Sequence, residues 1–353
     1  MKQNKVLLYV TYAAMLGGLM SCGNEGPESM SASEAKAAFS EVNTNLSASL
    51  DELSGNTGFE ALNSFTGITN STSPFGKVAP HKPKEVRRQI EKTLAAIRSR
   101  LVSSASNERI AGDEPFNYNE KKGVYTYNFQ TESFSRTADS DIIKILYPTE
   151  GSTTNNAEFR LSAYQEIATP NGDEAYSPTL IDATVLVDGI VQGELDLTAQ
   201  YGTDGQTIYA KFSVSLIPYT FDLTLDDRNS STSSVSESLS KSGKTLIGFE
   251  VKATYNSSVK SDENISKVSG YIQLMSIKFV FSVEAEDLAD ANDITDIVRV
   301  SIKIDGKNAG KIVFEMDETT GEPVPYVKYN DGSQELLSSV LEDLIIQLDG
   351  MPI

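Results

Sequence analysis

Two reactive side chains occur once each in this chain: Cys22, the only thiol, and His81, the only histidine. A Cys or Ser becomes a hydrolytic nucleophile when a neighbouring base, commonly His, takes its proton. His81 stands between two prolines in Pro80-His81-Lys82-Pro83, a linker composition rather than a catalytic setting. No Cys-His or Ser-His-Asp set is expected, and no catalytic residue is assigned. A zinc site needs several His or Cys ligands, and one of each is too few.

Carboxylates are the abundant reactive group. Glu284, Glu286, Asp287, Asp290 and Asp293 gather in one short stretch after a strand-like run. Asp287, Asp290 and Asp293 are the candidate calcium ligands, because Ca²⁺ takes six to eight oxygens from such loops. The run Asp290-Ala291-Asn292-Asp293 is not followed by the Gly and late Glu of an EF-hand, so a solvated acidic connection is the expectation, with no metal. Glycoside hydrolysis also uses two carboxylates, which need not be close in sequence. With no Trp to stack on sugar rings, that activity is a distant alternative. Loops that cradle phosphate, a Walker motif or Gly-x-Gly-x-x-Gly after a strand, are absent from the sequence.

One segment runs against the charge of the whole. Lys77, Lys82, Lys84, Arg87, Arg88, Lys92, Arg98 and Arg100 are opposed only by Glu85 and Glu91. Arg87, Arg88, Lys92 and Arg98 form a candidate patch for an anionic ligand such as a phosphorylated headgroup. Compensation of the acidic remainder is the blander explanation.

Cys22 ends a different kind of segment. Lys2 and Lys5 precede an apolar run from Val6 to Met20 that closes on Leu19-Met20-Ser21-Cys22. A basic start, a short apolar middle and a small residue before the cut make a secretion signal, and the run is short for a spanning helix. The four residues resemble the lipobox of bacterial lipoproteins of the Bacteroidetes type. That resemblance implies cleavage after Ser21, lipid on Cys22 as the one covalent group, and display on the outer membrane at its periplasmic or cell-surface face. Acidic Glu25 and Glu28 resemble a surface-export signal, and Gly23 stands where inner-membrane retention would use Asp. Two or more acyl chains anchor stably where one does not.

Composition narrows the partners. There are 49 Asp and Glu against 30 Lys and Arg, a net charge of −19. Nucleic acid is excluded as the expected partner, since its binding draws on excess Lys and Arg. With a single Cys no intrachain disulfide forms.

The elements follow from periodicity. Residues 1–21 are the signal peptide, and 22–33 the acylated Cys and a flexible tether. Residues 34–110 are expected to be a helical segment packed on a sheet. Ser31 to Glu34 has capping-box spacing, and Ala35, Phe39, Val42, Leu46, Leu50 and Leu53 form one helical stripe. Residues 54–83 read as a Gly-, Ser- and Thr-rich connection with at most a helical turn near Phe59–Phe65. A second helix opens at Pro83 and runs to Leu101. Residues 111–353 are expected to be an antiparallel β domain, since from about Phe116 the period becomes two, as in Ile277, Phe279, Phe281, Val283 and in Val298, Val300, Ile302, Ile304. Asp188-Gly189 and Asp204-Gly205 are expected to be hairpin turns, and Asp305-Gly306 through Gly310 a longer hairpin loop. Residues 226–244 read as a polar excursion, a loop or weak helix near Val235–Leu239, and 334–348 as a C-terminal helix.

The fold expected is therefore mainly β with helices, α+β in class. It is a long curved antiparallel meander or half-open barrel, covered by two N-terminal helices and one C-terminal helix. In outline this is similar to lipoprotein carriers, half barrels that enclose an acyl cavity. The function expected is non-enzymatic binding of a hydrophobic, lipid-like or glycan ligand. The alternative is a structural or adhesion component paired with a surface protein, and the more distant one a carbohydrate-active or calcium-dependent enzyme.

Overall fold

The computed structural model describes residues 28–71, 115–169, 176–284, 299–316 and 323–341. The described residues are mainly β, and their sixteen strands belong to one open, non-closed sheet. Helices α1 (Ala32–Ser54), α2 (Thr57–Ser71) and the short α3 (Tyr118–Lys121) come first. Eight strands follow: β1 (Gly123–Asn128), β2 (Ser133–Thr137), β3 (Ile143–Tyr147), β4 (Ala157–Ala168), β5 (Tyr176–Val187), β6 (Ile190–Tyr201), β7 (Thr207–Leu216) and β8 (Tyr219–Asp226). Eight more complete the sheet: β9 (Thr232–Lys241), β10 (Lys244–Tyr255), β11 (Ile265–Leu274), β12 (Ile277–Glu284), β13 (Arg299–Ile304), β14 (Lys307–Met316), β15 (Pro323–Tyr329) and β16 (Gln334–Leu336). A single turn of helix, α4 (Leu337–Val340), follows them. The chain divides into two compact units, Asp51–Leu225 and a second made of residues before Asp51 and from Asp226 onward.

In the first unit α2 lies on one side of the strands. Asn56 caps it, accepting from the Phe59 amide at 3.1 Å, while its own amide group donates to the Ile217 carbonyl at 2.8 Å. Phe65 stacks on Phe159 at 4.6 Å and tilts against Tyr147 at 5.3 Å. The buried Tyr147 hydroxyl donates to the Ala61 carbonyl at 3.1 Å, and burial pushes that phenol above its ordinary pKa. Beneath α2 the core is Tyr125, Ile143, Ile145, Ala183, Val185 and Val187. The sequence suggested no more than a helical turn here. Individually weak helix formers become a four-turn helix because a capping Asn and a buried apolar face are supplied together. β1 pairs with β3 in parallel, the exception in an otherwise antiparallel set of registers.

In the second unit the strand registers from β9 through β16 are antiparallel. The capping box closes as the spacing requires, with the Ser31 amide donating to Glu34 at 2.9 Å and the Glu34 amide to the Ser31 hydroxyl at 3.3 Å. α1 then buries Ala35, Phe39, Val42 and Leu46. Phe39 meets Phe279 of β12 at 6.3 Å between ring centroids, Lys36 bonds Glu335 of β16 at 2.6 Å, and Asn43 donates to the Val340 carbonyl at 3.2 Å. Below α1, Ile277, Phe279, Phe281, Val300, Ile302, Ile304, Ile312 and Val327 are all buried. Gly270 of β11 stands opposite Phe281, where a Cβ would press on that ring at 2.7 Å, so the position has room for hydrogen alone.

Three expectations are corrected in this unit. Residues 28–30 are not free tether but joined to β14. The polar excursion of 226–244 contains a strand, β9, paired along its length with β10. No residue of β9 is fully buried, and Ser234, Ser236, Ser238 and Ser240 occupy one side of it. Backbone pairing, not side-chain burial, makes that strand. Residues 334–336 are extended as β16 before α4 begins, so the C-terminal helix starts later than its apolar pattern suggested. The expected signal peptide with its cleavage site, Cys22, the helix expected over Pro83–Leu101 and residues 342–348 of the expected C-terminal helix lie outside the described residues.

The Phe39 contact gives a direct check. Phe39→Ala removes a ring that is 2 % exposed, and a loss of about 3–5 kcal/mol is expected. Urea unfolding monitored by circular dichroism measures it. A loss below about 1 kcal/mol would show that α1 is not seated as described.

Candidate functional site

Because side chains alternate along a strand, fixing one face fixes the other. With the isoleucines and phenylalanines of β12–β15 turned toward α1, the residues between them turn away. Those residues include Lys278 on β12, Arg299 and Lys303 on β13, Lys311 on β14 and Lys328 on β15. The registers place them against one another. Lys278 is directly opposite Lys303, and Lys311 directly opposite Lys328. Ser301 stands opposite Lys311, which joins the two pairs diagonally.

Opposed residues on a sheet have Cβ atoms about 4.5–5.5 Å apart, and like charges there destabilise. At about 5 Å in water the repulsion is about 0.8 kcal/mol for each pair, before screening by salt. These cations have no ion pair among the described residues. The acids on this side are occupied elsewhere: Glu250 bonds the Tyr271 hydroxyl, Glu284 bonds Lys267 at 2.5 Å, and Glu315 accepts from Gln334 at 2.6 Å. From β12 to β15 the cations span three strand spacings, about 14 Å.

Two tyrosines flank them. Lys278 sits 3.7 Å from the centroid of the Tyr271 ring, a cation–π contact. Burial first, and then the Glu250 carboxylate that its hydroxyl bonds, raise the Tyr271 pKa. Tyr326 stands opposite Val313 on the same side, two residues from Lys328. All of these except the exposed Arg299 are half-buried. Half-burial of this kind lets a lysine stem lie along the sheet, and the Lys278 ammonium caps the Tyr271 ring. Such a face can hold a repeating anion by charge and pack its apolar parts on the tyrosines.

The first unit has the opposite character on the side away from α2. Asp182 is directly opposite Asp196 there, and Glu158 and Arg160 form a two-pronged ion pair at 2.8 Å on each prong. The Ser162 hydroxyl donates to Asp182 at 2.9 Å. Among the described residues no group of three or more His, Cys, Asp or Glu is placed to hold a metal ion. No helix among them is long and apolar enough to cross a membrane.

Of the residues singled out from sequence, Cys22, Arg87, Arg88, Lys92, Arg98, Asp287, Asp290 and Asp293 all lie outside the described residues. The lysine face was missed. Its signal is present in the sequence as Lys278, Lys303, Lys311 and Lys328, each out of phase with the apolar residues of its own strand. What a single strand does not show is which lysine faces which.

Lys303→Gln removes charge from a crowded pair and is expected to raise the thermal midpoint by roughly 1–2 °C at low salt, and by less at high salt. Differential scanning calorimetry at two ionic strengths checks this. A lower midpoint at both would show that Lys303 is satisfied where it stands. Comparison with protein-family models, with curated proteins and with solved structures finds no match to this chain.

Proposed function

We propose that this chain is an exported lipoprotein, held on the outer membrane by lipid on Cys22, that binds an anionic glycan on the lysine face of β12–β15 without catalysing a reaction. One observation carries the reading: two lysine pairs directly opposed on one sheet face of a chain whose net charge is −19. A polyanion laid across the four strands relieves both repulsions at once, so that binding and relief of strain are the same event. The span across the strands suits a repeating anion better than an isolated phosphate.

The helix side supports the choice of a polar ligand over a lipid-like one. In the second unit it is filled by Phe39, Val42 and Leu46 packed on the strands, and in the first by Phe65 on Tyr147 and Phe159. The curvature of the sheet, and its cover by the 83–101 helix and by a C-terminal helix continuing from α4, belong to this proposal. A structural or adhesion role is the second reading. It is favoured by β2, which among the described residues pairs with β1 alone and carries Phe134 against Tyr127 beside Phe129, 44 % exposed. An edge of that kind pairs readily with a strand from another chain.

Isothermal titration with dextran sulfate and with neutral dextran tests the first reading. Binding of the sulfated polymer alone is expected, and Lys303→Gln/Lys311→Gln should weaken it about tenfold or more, equal to about 1.4 kcal/mol. Equal binding by parent and variant, or equal binding of neutral dextran, would overturn it.

A further inference from the structure

The chain enters the second unit at a built clamp. Ser29 forms a parallel bridge with Asn308 of β14. The Met30 amide donates to the Asn308 carbonyl at 2.8 Å, and the Asn308 amide to the Glu28 carbonyl at 3.1 Å. The Asn330 side chain donates to both the Met30 carbonyl, at 2.9 Å, and the Asn308 carbonyl, at 2.8 Å. Lys307 pairs with Glu28 at 2.8 Å.

A bulge makes this clamp available. Ala309 is the extra residue opposite the Ile302–Lys303 step, and the β14–β15 register begins only at Gly310 and Tyr329. Asn308 is thereby left unpaired on the β15 side, and residues 28–30 take up its amide and carbonyl. Gly310 itself has φ of +143°, and a Cβ there would come within 2.3 Å of the Lys328 carbonyl oxygen, so the bulge depends on that glycine.

Direction follows from the parallel sense. β14 runs inward from the Asp305-Gly306 turn, and the segment from Glu28 to Met30 runs the same way. Glu28, the first of the three, therefore stands at the end of β14 nearest that turn. The hairpins of β9–β10, β11–β12 and β15–β16 bring Ser242-Gly243, Met275-Ser276 and Asn330–Ser333 to the same end, because alternate turns of an antiparallel meander share an end. Only six residue steps separate Cys22 from Glu28. Fully extended, they reach about 20 Å. A strand such as β10, 12 residues long, spans about 40 Å.

We infer that the clamp at Glu28–Met30 fixes the orientation of the second unit on the membrane, with the turn end carrying Ser242-Gly243, Met275-Ser276 and Asp305-Gly306 against the bilayer and the end carrying residues 227–231 and 256–264 turned away. The partner is the lipid surface itself. Charges at the near end are mixed, Lys241, Lys244 and Lys307 beside Asp305, Asp331 and Glu28, so the tether and not attraction holds it there. The lysine face then stands across the membrane rather than flat upon it, open to a polymer from the side. This inference rests on lipid at Cys22.

Depth-dependent quenching tests it. With Cys22 acylated, Ser242→Cys or Ser257→Cys supplies the one free thiol for a fluorophore on the full chain. Each labelled protein is reconstituted in phosphatidylcholine vesicles that carry a nitroxide on the headgroup. Quenching at position 242 is expected to exceed that at 257 by threefold or more. An insert of about 20 Gly and Ser residues between positions 27 and 28 should remove the difference while membrane association persists, since its reach approaches the strand length. Vesicle association with equal quenching at both positions overturns the orientation alone. Failure to associate, with Cys22 found unmodified by mass spectrometry, overturns the anchor and the orientation together.

Discussion

Phe39 of α1 rests on Phe279 of β12, and that contact sets the parity of four strands. Side chains on a strand alternate with period two, so a slip of one residue in β12–β15 would turn every lysine of the outer face inward. Burying an unpaired ammonium costs far more than any surface interaction returns. The buried stripe of α1 and the row Phe279, Ile302, Ile312 and Val327 therefore decide, indirectly, where Lys278, Lys303, Lys311 and Lys328 stand. The face is placed by a core it does not touch.

Magnitudes show why the arrangement persists. Each opposed lysine pair costs about 0.8 kcal/mol at most in water. Each large apolar side chain buried beneath α1 contributes about 1.5–3 kcal/mol. Two repulsions are easily carried by a core of this size, so folding does not select against them. Nothing in the fold requires them either. Glutamate or serine at Lys303 or Lys328 would satisfy the same exposed position, as the serines of β9 do on their own strand. The cations are best understood through what meets them.

Much of the architecture was legible in the residues. The Ser31 to Glu34 spacing closes as a capping box, and the apolar stripe of α1 is the buried one. The period-two runs of β7, β10, β12 and β13 are strands, and Asp188-Gly189 turns with positive φ. The longer loop expected from Asp305 to Gly310 closes instead as the two-residue turn Asp305-Gly306, with β14 beginning at Lys307. What failed was set by tertiary contact. α2 has the composition of a linker, and becomes a helix because Asn56 caps it and Phe65 finds Phe159. β9 is too polar to announce itself, and is a strand because β10 offers its full backbone edge. The lysine face lay between the two cases: each cation was visibly out of phase, yet its opposition to another cation exists only in the register. The basic run of Arg87, Arg88, Lys92 and Arg98 was the more conspicuous signal because its charges are close in sequence, whereas the face assembles its own from four strands.

The measurement closest to the central claim is lysine footprinting of the full chain, with acetylation rates followed by mass spectrometry in the absence and presence of dextran sulfate. The account predicts selective protection of Lys278, Lys303, Lys311 and Lys328, with Lys144 and Lys211 of the first unit unaffected. Uniform protection, or protection of Lys84 and Lys92 in place of these four, would contradict it.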